Sequence, residues 1–298
     1  MQNECDMLLA SFNREVNDFA KRVGKDRASA SYRTLVTVNK HLHAFVGRFY
    51  QSKDVPMQDL TGTFFRDFCL YLQFDCRLAP ATVWAYTAPL KRIVAHAHQD
   101  GLISKNPFAR CHVTPIVKER QFLTEKELMK VMQQPFEQQA LRDVRNLFVF
   151  ACWTGMAFVD LQHLDREQLF EMDDSWWIIG HRQKTKTLFQ IKLLDVPLAI
   201  LKEYASFQNA LPSSLLPMYG YKRTSRLLRK IMAACGIQKP ITFHCARHTF
   251  ATLALSKGMP IESVSRILGH TKIATTQIYA RITLNKLSKD FEVFTKQT

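Results

Sequence analysis

"ITFHCARHTFATLALSKGMPIESVSRILGHTKIATTQIYARI", residues 241–282, carries more chemistry than any other stretch of the chain. His244 and Arg247 are three apart, so a helix would show both on one face. Thr242 is placed to cap that helix, and Gly258 with Pro260 to end it. "IESVSRI" reads as a short second helix closed by "LGH", which leaves His270 just outside. Tyr279 follows nine residues later. On one straight helix that spacing would set His270 and Tyr279 on opposite faces. They converge only if the chain reverses at about 270–272. Taken singly, such a His is a local hydrogen-bonding group, such a Tyr is packing, and such an Arg is a surface residue. H-x-x-R, then L-G-H, then a Tyr nine on is a far more specific set.

Outward from this segment the pattern is mostly helix. "MLLASFNREVNDFAKRV" spaces Leu8, Phe12, Val16 and Phe19 at a helical period, and "SYRTLVTVNKHLHAFVGRFY" does so with Leu35, Val38, Leu42 and Phe45. "TGTFFRDFCLYLQFD" and "APATVWAYTAPLKRIVAHAHQDG" read as third and fourth helices, the last ending near Gly101. Residues 1–107 thus form an all-helical domain. Residues 108–121, with Pro115 and no sustained period, read as a linker. A second domain, 122–298, opens on a capping box in "TEKE" at Thr124 to Glu127. A helix over about 139–153 follows. "SWWII" and "LFQIKLL", either side of "GHRQKTKT", predict two strands and a turn. Further helices are expected at about 197–208, 224–235, 243–257, 261–268 and 273–280. The fold class is mainly α with one small antiparallel sheet.

Composition narrows the function. Lys and Arg number 41 against 26 acids, a net charge of +15. A surface this basic concentrates polyanions through counterion release, which favours nucleic acid as partner. The seven cysteines are scattered without a CxxC, against a zinc site or disulfide framework and in keeping with a reducing cytoplasm. No segment has the length and uniform apolarity of a membrane span, and the N-terminus lacks the layout of a signal peptide.

"HCARHTFAT", "LGH" and "IYARI" resemble the tyrosine recombinases of the phage-integrase type, in order and spacing, and the resemblance extends over nearly the whole chain. "FACWTGMAFVDLQHL" and "RQKTK" resemble the integrases of Bacteroides-type mobile elements. The resemblance implies a helical core-binding (SAM-like) domain followed by an α-rich catalytic domain. It implies cleavage and rejoining of duplex DNA through a 3′-phosphotyrosyl bond, with no metal and no small-molecule cofactor. It makes Tyr279 the nucleophile, Arg247 a phosphate clamp, and His244 and His270 hydrogen-bond donors or proton carriers. A hairpin Lys is the implied general acid; Lys184 and Lys186 are both available, and the motif favours Lys184. The chemistry fits these residue types. Tyrosine, with an ordinary pKa of about 10, is a weak nucleophile until a base or a polarised phosphate helps it. Arginine offers paired, permanently charged donors to the phosphate oxygens.

One part is missing. The family pattern T-G-[LM]-R, followed shortly by an acid, reads here as "TGMAFVD", Thr154 to Asp160. Asp160 keeps the supporting acid, but Ala157 stands where the first arginine belongs. Losing a charge-assisted contact to a transition state costs about 3–4 kcal/mol unless something replaces it. Arg182 is the first candidate, because an extended strand would point it the same way as Lys184. Arg145, on the helix leading into Thr154, is the second. The alternative is a catalytically impaired recombinase descendant that only binds DNA; a type IB topoisomerase-like enzyme is a third possibility.

For double-stranded DNA the expected contacts are Arg77, Lys91 and Arg92 in the first domain and Lys222, Arg223 and Arg226 in the second. Leu284, Leu287, Phe291 and Phe294 have helical spacing. In the family such a C-terminal helix often docks on the next protomer, and the resemblance implies a homotetramer on DNA. The sequence starts almost directly with the core-binding helices, so a simple recombinase of the invertase or transposon type is the expectation; the same stretch of a longer integrase would read alike.

Overall fold

The computed structural model describes residues 7–114, 121–204, 215–280 and 295. The chain divides into two compact units, Met1–Lys118 and Glu119–Thr298.

The first unit is helical. α1 (Leu8–Arg22) buries Leu8, Phe12 and Val16 of its predicted stripe, together with Leu9, while Phe19 is half-buried. α2 (Ser29–Phe49) buries Leu35, Val38, Leu42, Phe45 and Val46. Thr61 caps α3 (Gly62–Leu70), its side chain accepting from the Phe64 N–H at 3.3 Å. A wider π turn, Tyr71–Asp75, then carries the chain toward α4 (Pro80–Gln99). Phe45 is the hub of the core, with the rings of Phe64, Phe68 and Tyr71 all within about 5.5 Å of it. Such edge-on and tilted rings fix positions that aliphatic contacts leave loose. Phe108, in the stretch expected as linker, is fully buried in this core. An apolar ring with a helical core within reach leaves water whatever the local sequence looks like.

The second unit opens on the expected capping box. Thr124 Oγ1 accepts from the Glu127 N–H, and the Glu127 carboxylate accepts from the Thr124 N–H. α5 (Glu125–Gln133) leads to α6 (Gln139–Thr154), which is buried on nearly all sides as the central helix of the unit. α7 (Phe158–Leu161) is one short turn. The sheet has three strands rather than two: β1 (Leu169–Met172), β2 (Ser175–His181) and β3 (Leu188–Lys192), antiparallel in that order. β1 alternates weakly and is mostly exposed, so its periodicity carried no signal. Ile178 pairs with Ile191, and Gly180 with Phe189, on the buried face.

α8 (Asp195–Glu203) precedes α9 (Tyr221–Ala234), which starts three residues earlier than its apolar pattern predicted. α10 (Cys245–Ser256), α11 (Ile261–Leu268) and α12 (Ala274–Gln277) complete the described part. α10 begins after His244 and not after Thr242, whose side chain meets Cys245 Sγ instead of capping. Gly258, at φ +91°, turns the chain out of α10 as expected. The leucines and phenylalanines at 284–294 lie outside the described residues.

Candidate active site

The corner after α6 is set by close packing. Gly155 takes φ +66°, and a Cβ there would come within 2.7 Å of the Phe250 ring and 2.9 Å of the Leu268 side chain. Only glycine allows both the left-handed turn and the approach of α10 and α11. The Gly155 carbonyl accepts from Arg247 Nη1 at 2.9 Å, and the Leu268 carbonyl accepts from Nη2. The "TG" and "LG" corners thus hold Arg247 from two sides.

Arg182 enters the same corner. Ile178, Gly180 and Arg182 share one face of β2 and its extension, so the strand's parity carries Arg182 inward, where it is 4% exposed. Nη1 donates to Asp160 Oδ2 at 2.8 Å and Nη2 to the Ile267 carbonyl at 2.6 Å. The guanidinium lies 4.3 Å from the Phe189 ring centre. Its aliphatic stem crosses Gly269, where a Cβ would sit 2.9 Å from Cγ. Gly269, at φ +62°, therefore both ends α11 and leaves room for Arg182. Nε has no hydrogen-bond partner among the described residues. Asp160 completes the arrangement, its Oδ1 accepting from the Gln183 N–H at 2.9 Å.

Burial weighs on both arginines of this corner. Burial, and then the charge of Arg182, push Arg247 down to about 10, opposed by Tyr279 and Asp160. Burial lowers Arg182 as well, opposed by its hydrogen bond and ion pair with Asp160. The two cations against one carboxylate leave one net positive charge, which a phosphodiester would neutralise.

Lys184 does not share this environment. β2 ends at His181, and a turn closed by Arg182 N–H to Thr187 O at 2.9 Å and Lys186 N–H to Arg182 O at 2.8 Å interrupts the alternation. Lys184 is exposed on that turn. Arg145 is not brought to the corner at all. Nη1 donates to the Gln134 carbonyl at 2.9 Å and Nε to Asn146 Oδ1, tying α6 to the end of α5.

The three imidazoles have distinct settings. His270 Nδ1 lies 2.8 Å from Oγ1 of the fully buried Thr276, three residues before Tyr279. His244 is exposed, and its ring meets His248 edge-on at 4.5 Å. His248, which the motif reading passed over, is buried, with Nδ1 2.7 Å from the Tyr279 hydroxyl. The signal was available: His244 and His248 are four apart on a helix and so share a face. Among the described residues no group of three His, Cys, Asp or Glu is placed to hold a metal ion. Nor is any described helix long and apolar enough to cross a membrane.

The basic candidates divide. Lys91 Nζ donates to the Cys111 carbonyl at 2.6 Å and Arg92 pairs with Glu15 at 2.8 Å, so both are engaged within the first unit. Arg77 is exposed. Lys222, Arg223 and Arg226, with Arg229, line one open concave face of α9, and no ion pair to them forms among the described residues. The Arg223 guanidinium rests 4.5 Å from the Tyr219 ring centre.

Residues 121–286 match the phage integrase family, and residues 8–114 match the phage integrase SAM-like domain. The chain belongs to the phage integrase family. Among the relatives of this family member is tyrosine recombinase XerD of Listeria innocua, 27% identical over 89% of this chain and 93% of its own length. Tyrosine recombinase XerC of Syntrophus aciditrophicus is 26% identical over 71% and 73%. The solved Tn1549 transposon integrase in complex with transposon right end DNA has a similar fold, with TM-score 0.72, 17% identity, and 96% and 98% of the two chains covered. A lambda integrase dimer bound to a COC′ core site gives TM-score 0.71 at 17% identity over 92% and 95%.

Proposed function

We propose that this family member breaks and rejoins double-stranded DNA at Tyr279, with Arg247 and Arg182 as its two phosphate-facing cations. The chain is a tyrosine-type site-specific recombinase. The observation that carries the assignment of the site is the shared corner: Arg182 is anchored on Asp160 and the Ile267 carbonyl, Arg247 on the Gly155 and Leu268 carbonyls, and the Tyr279 hydroxyl meets His248, the next residue after Arg247. Tyr279 attacks the scissile phosphorus, the arginines absorb the charge that develops on the non-bridging oxygens, and the exposed Lys184 protonates the 5′ oxygen as it leaves. His270, its Nδ1 occupied by Thr276, turns Nε2 to the phosphate. His244 donates at the mouth of the site. The phosphotyrosyl bond keeps the energy of the phosphodiester, so rejoining uses no nucleotide.

The sequence around Ala157 in "FACWTGMAFVDLQHL" and the stretch "RQKTK" support membership of the Bacteroides-type mobile-element group. The helical first unit, with Arg77, and the cationic face of α9 bind the duplex, and four copies assemble on paired sites. Free described cysteines support action in the reducing cytoplasm, where DNA is met.

The test is covalent capture on nicked duplexes chosen by mapping protein–DNA adducts across a host genome. Wild type forms a denaturation-resistant adduct and Tyr279→Phe does not. No adduct from any duplex would leave a DNA-binding protein without catalysis. Relaxation of supercoils with no site preference would favour topoisomerase-like chemistry.

A further inference from the structure

His248 has no part in the roles above, yet its Nδ1 lies 2.7 Å from the Tyr279 hydroxyl. The two rings are tilted, with centroids 5.2 Å apart. The imidazole is held firmly. Its neighbour Arg247 is fixed on two carbonyls, and Thr249 Oγ1 donates to the Cys245 carbonyl at 2.9 Å while accepting from the Leu123 N–H at 2.9 Å. His244 packs edge-on against the ring from the turn before.

A phenol must shed its proton as its oxygen bonds to phosphorus, and a neutral imidazole nitrogen within hydrogen-bond reach is a competent acceptor. We propose that His248 is the proton acceptor for Tyr279, an inference that rests on reading Tyr279 as the nucleophile. As the Oη–P bond forms, the Oη proton passes to Nδ1, the P–O5′ bond breaks, and the 5′ oxygen takes a proton from Lys184. Rejoining runs the same path backward: the 5′ hydroxyl returns its proton to the lysine, O5′ bonds to phosphorus, and the departing phenol oxygen recovers the proton from Nδ1. The imidazolium formed in between stands next to the cation of Arg247. The growing negative charge of the phosphate in the transition state offsets that repulsion.

The experiment measures single-turnover adduct formation on two nicked duplexes, one with the ordinary 5′ oxygen and one with a 5′-bridging sulfur. A sulfur leaving group departs as a thiolate and needs no proton, so it relieves a missing acid but not a missing base. In His248→Asn the amide oxygen accepts the hydrogen bond of the tyrosine but takes no proton. That variant slows cleavage about 100-fold or more on both duplexes, with DNA binding and melting temperature unchanged; Lys184→Ala is restored by the sulfur. Cleavage by His248→Asn at the wild-type rate would reduce His248 to a positioning residue and overturn the proposal. Rescue of His248→Asn by sulfur would also overturn it, by assigning His248 to the leaving group. Adduct formation by Tyr279→Phe would remove the nucleophile reading itself, whereas its failure beside a fully active His248→Asn would remove only the role of His248.

Discussion

The corner around Gly155 and the exposed face of α9 are both built from arginine, and they use it in opposite ways. Arg182 and Arg247 are buried, aimed by carbonyl and carboxylate acceptors, and threaded past glycines. Lys222, Arg223 and Arg226 stand in water on a helix without an acidic residue. Buried charge in a low-dielectric setting is strong, directional and expensive to misplace. Exposed charge is screened, tolerant of position and additive along a polyanion. Catalysis needs the first kind, and non-specific grip on a duplex needs only the second.

The sharpest way to break this contrast is Arg182→Ala. It leaves Asp160 buried without its ion-pair partner, so the folded state loses about 3–5 kcal/mol in a denaturant titration. Adduct formation at saturating DNA falls by roughly 100- to 1,000-fold. Full cleavage by the variant would mean that Arg182 is a structural strut only. Next in size is Gly269→Ala, which costs about 1–2 kcal/mol for a side chain in the left-handed region. Its Cβ also displaces the Arg182 stem, so cleavage drops about 10-fold or more while DNA affinity holds. Wild-type cleavage in that variant would show that the aim of Arg182 is loose.

Thr276→Val removes the hydroxyl from His270 at nearly constant volume. Loss of one hydrogen bond predicts a fall of about 1 kcal/mol in stability. Turnover falls several-fold because the His270 ring is no longer oriented, and stopped-flow cleavage at fixed DNA occupancy measures it. The smallest effect on the fold belongs to the triple alanine variant at Lys222, Arg223 and Arg226, within about 0.5 kcal/mol of wild type. Its effect appears in binding, where the slope of log affinity against log salt flattens by about 3. An unchanged slope would take α9 out of the DNA interface.

The candidate site was unevenly legible in the sequence. His244, Arg247, His270 and Tyr279 stand out because their spacing is unusual, while the absent arginine at Ala157 shows only against the family pattern T-G-[LM]-R that the chain resembles. His248 does not stand out, because a histidine beside an arginine attracts no notice until its ring is seen against Tyr279. Arg182 stands ahead of Arg145 as a replacement on strand parity, which ranks the two without excluding the second. The capture of Arg145 by the Gln134 carbonyl separates them, and no local pattern records that. By sequence Lys91 and Arg92 are expected DNA contacts; their engagement by the Cys111 carbonyl and Glu15 comes from the packing of the first unit.

By itself the sequence determined what is local: the helical periods of α1 and α2, the capping box at Thr124, the left-handed exit at Gly258, and the order of motifs in 241–282. These follow from backbone sterics and from side-chain spacing within a turn or two. Tertiary structure alone decided that Arg182 reaches Asp160, that the Gly155 and Leu268 carbonyls hold Arg247, and that His248 meets Tyr279. Each of those depends on contacts between residues 21 to 92 positions apart, and the energy of such contacts exists only once the intervening chain has been packed.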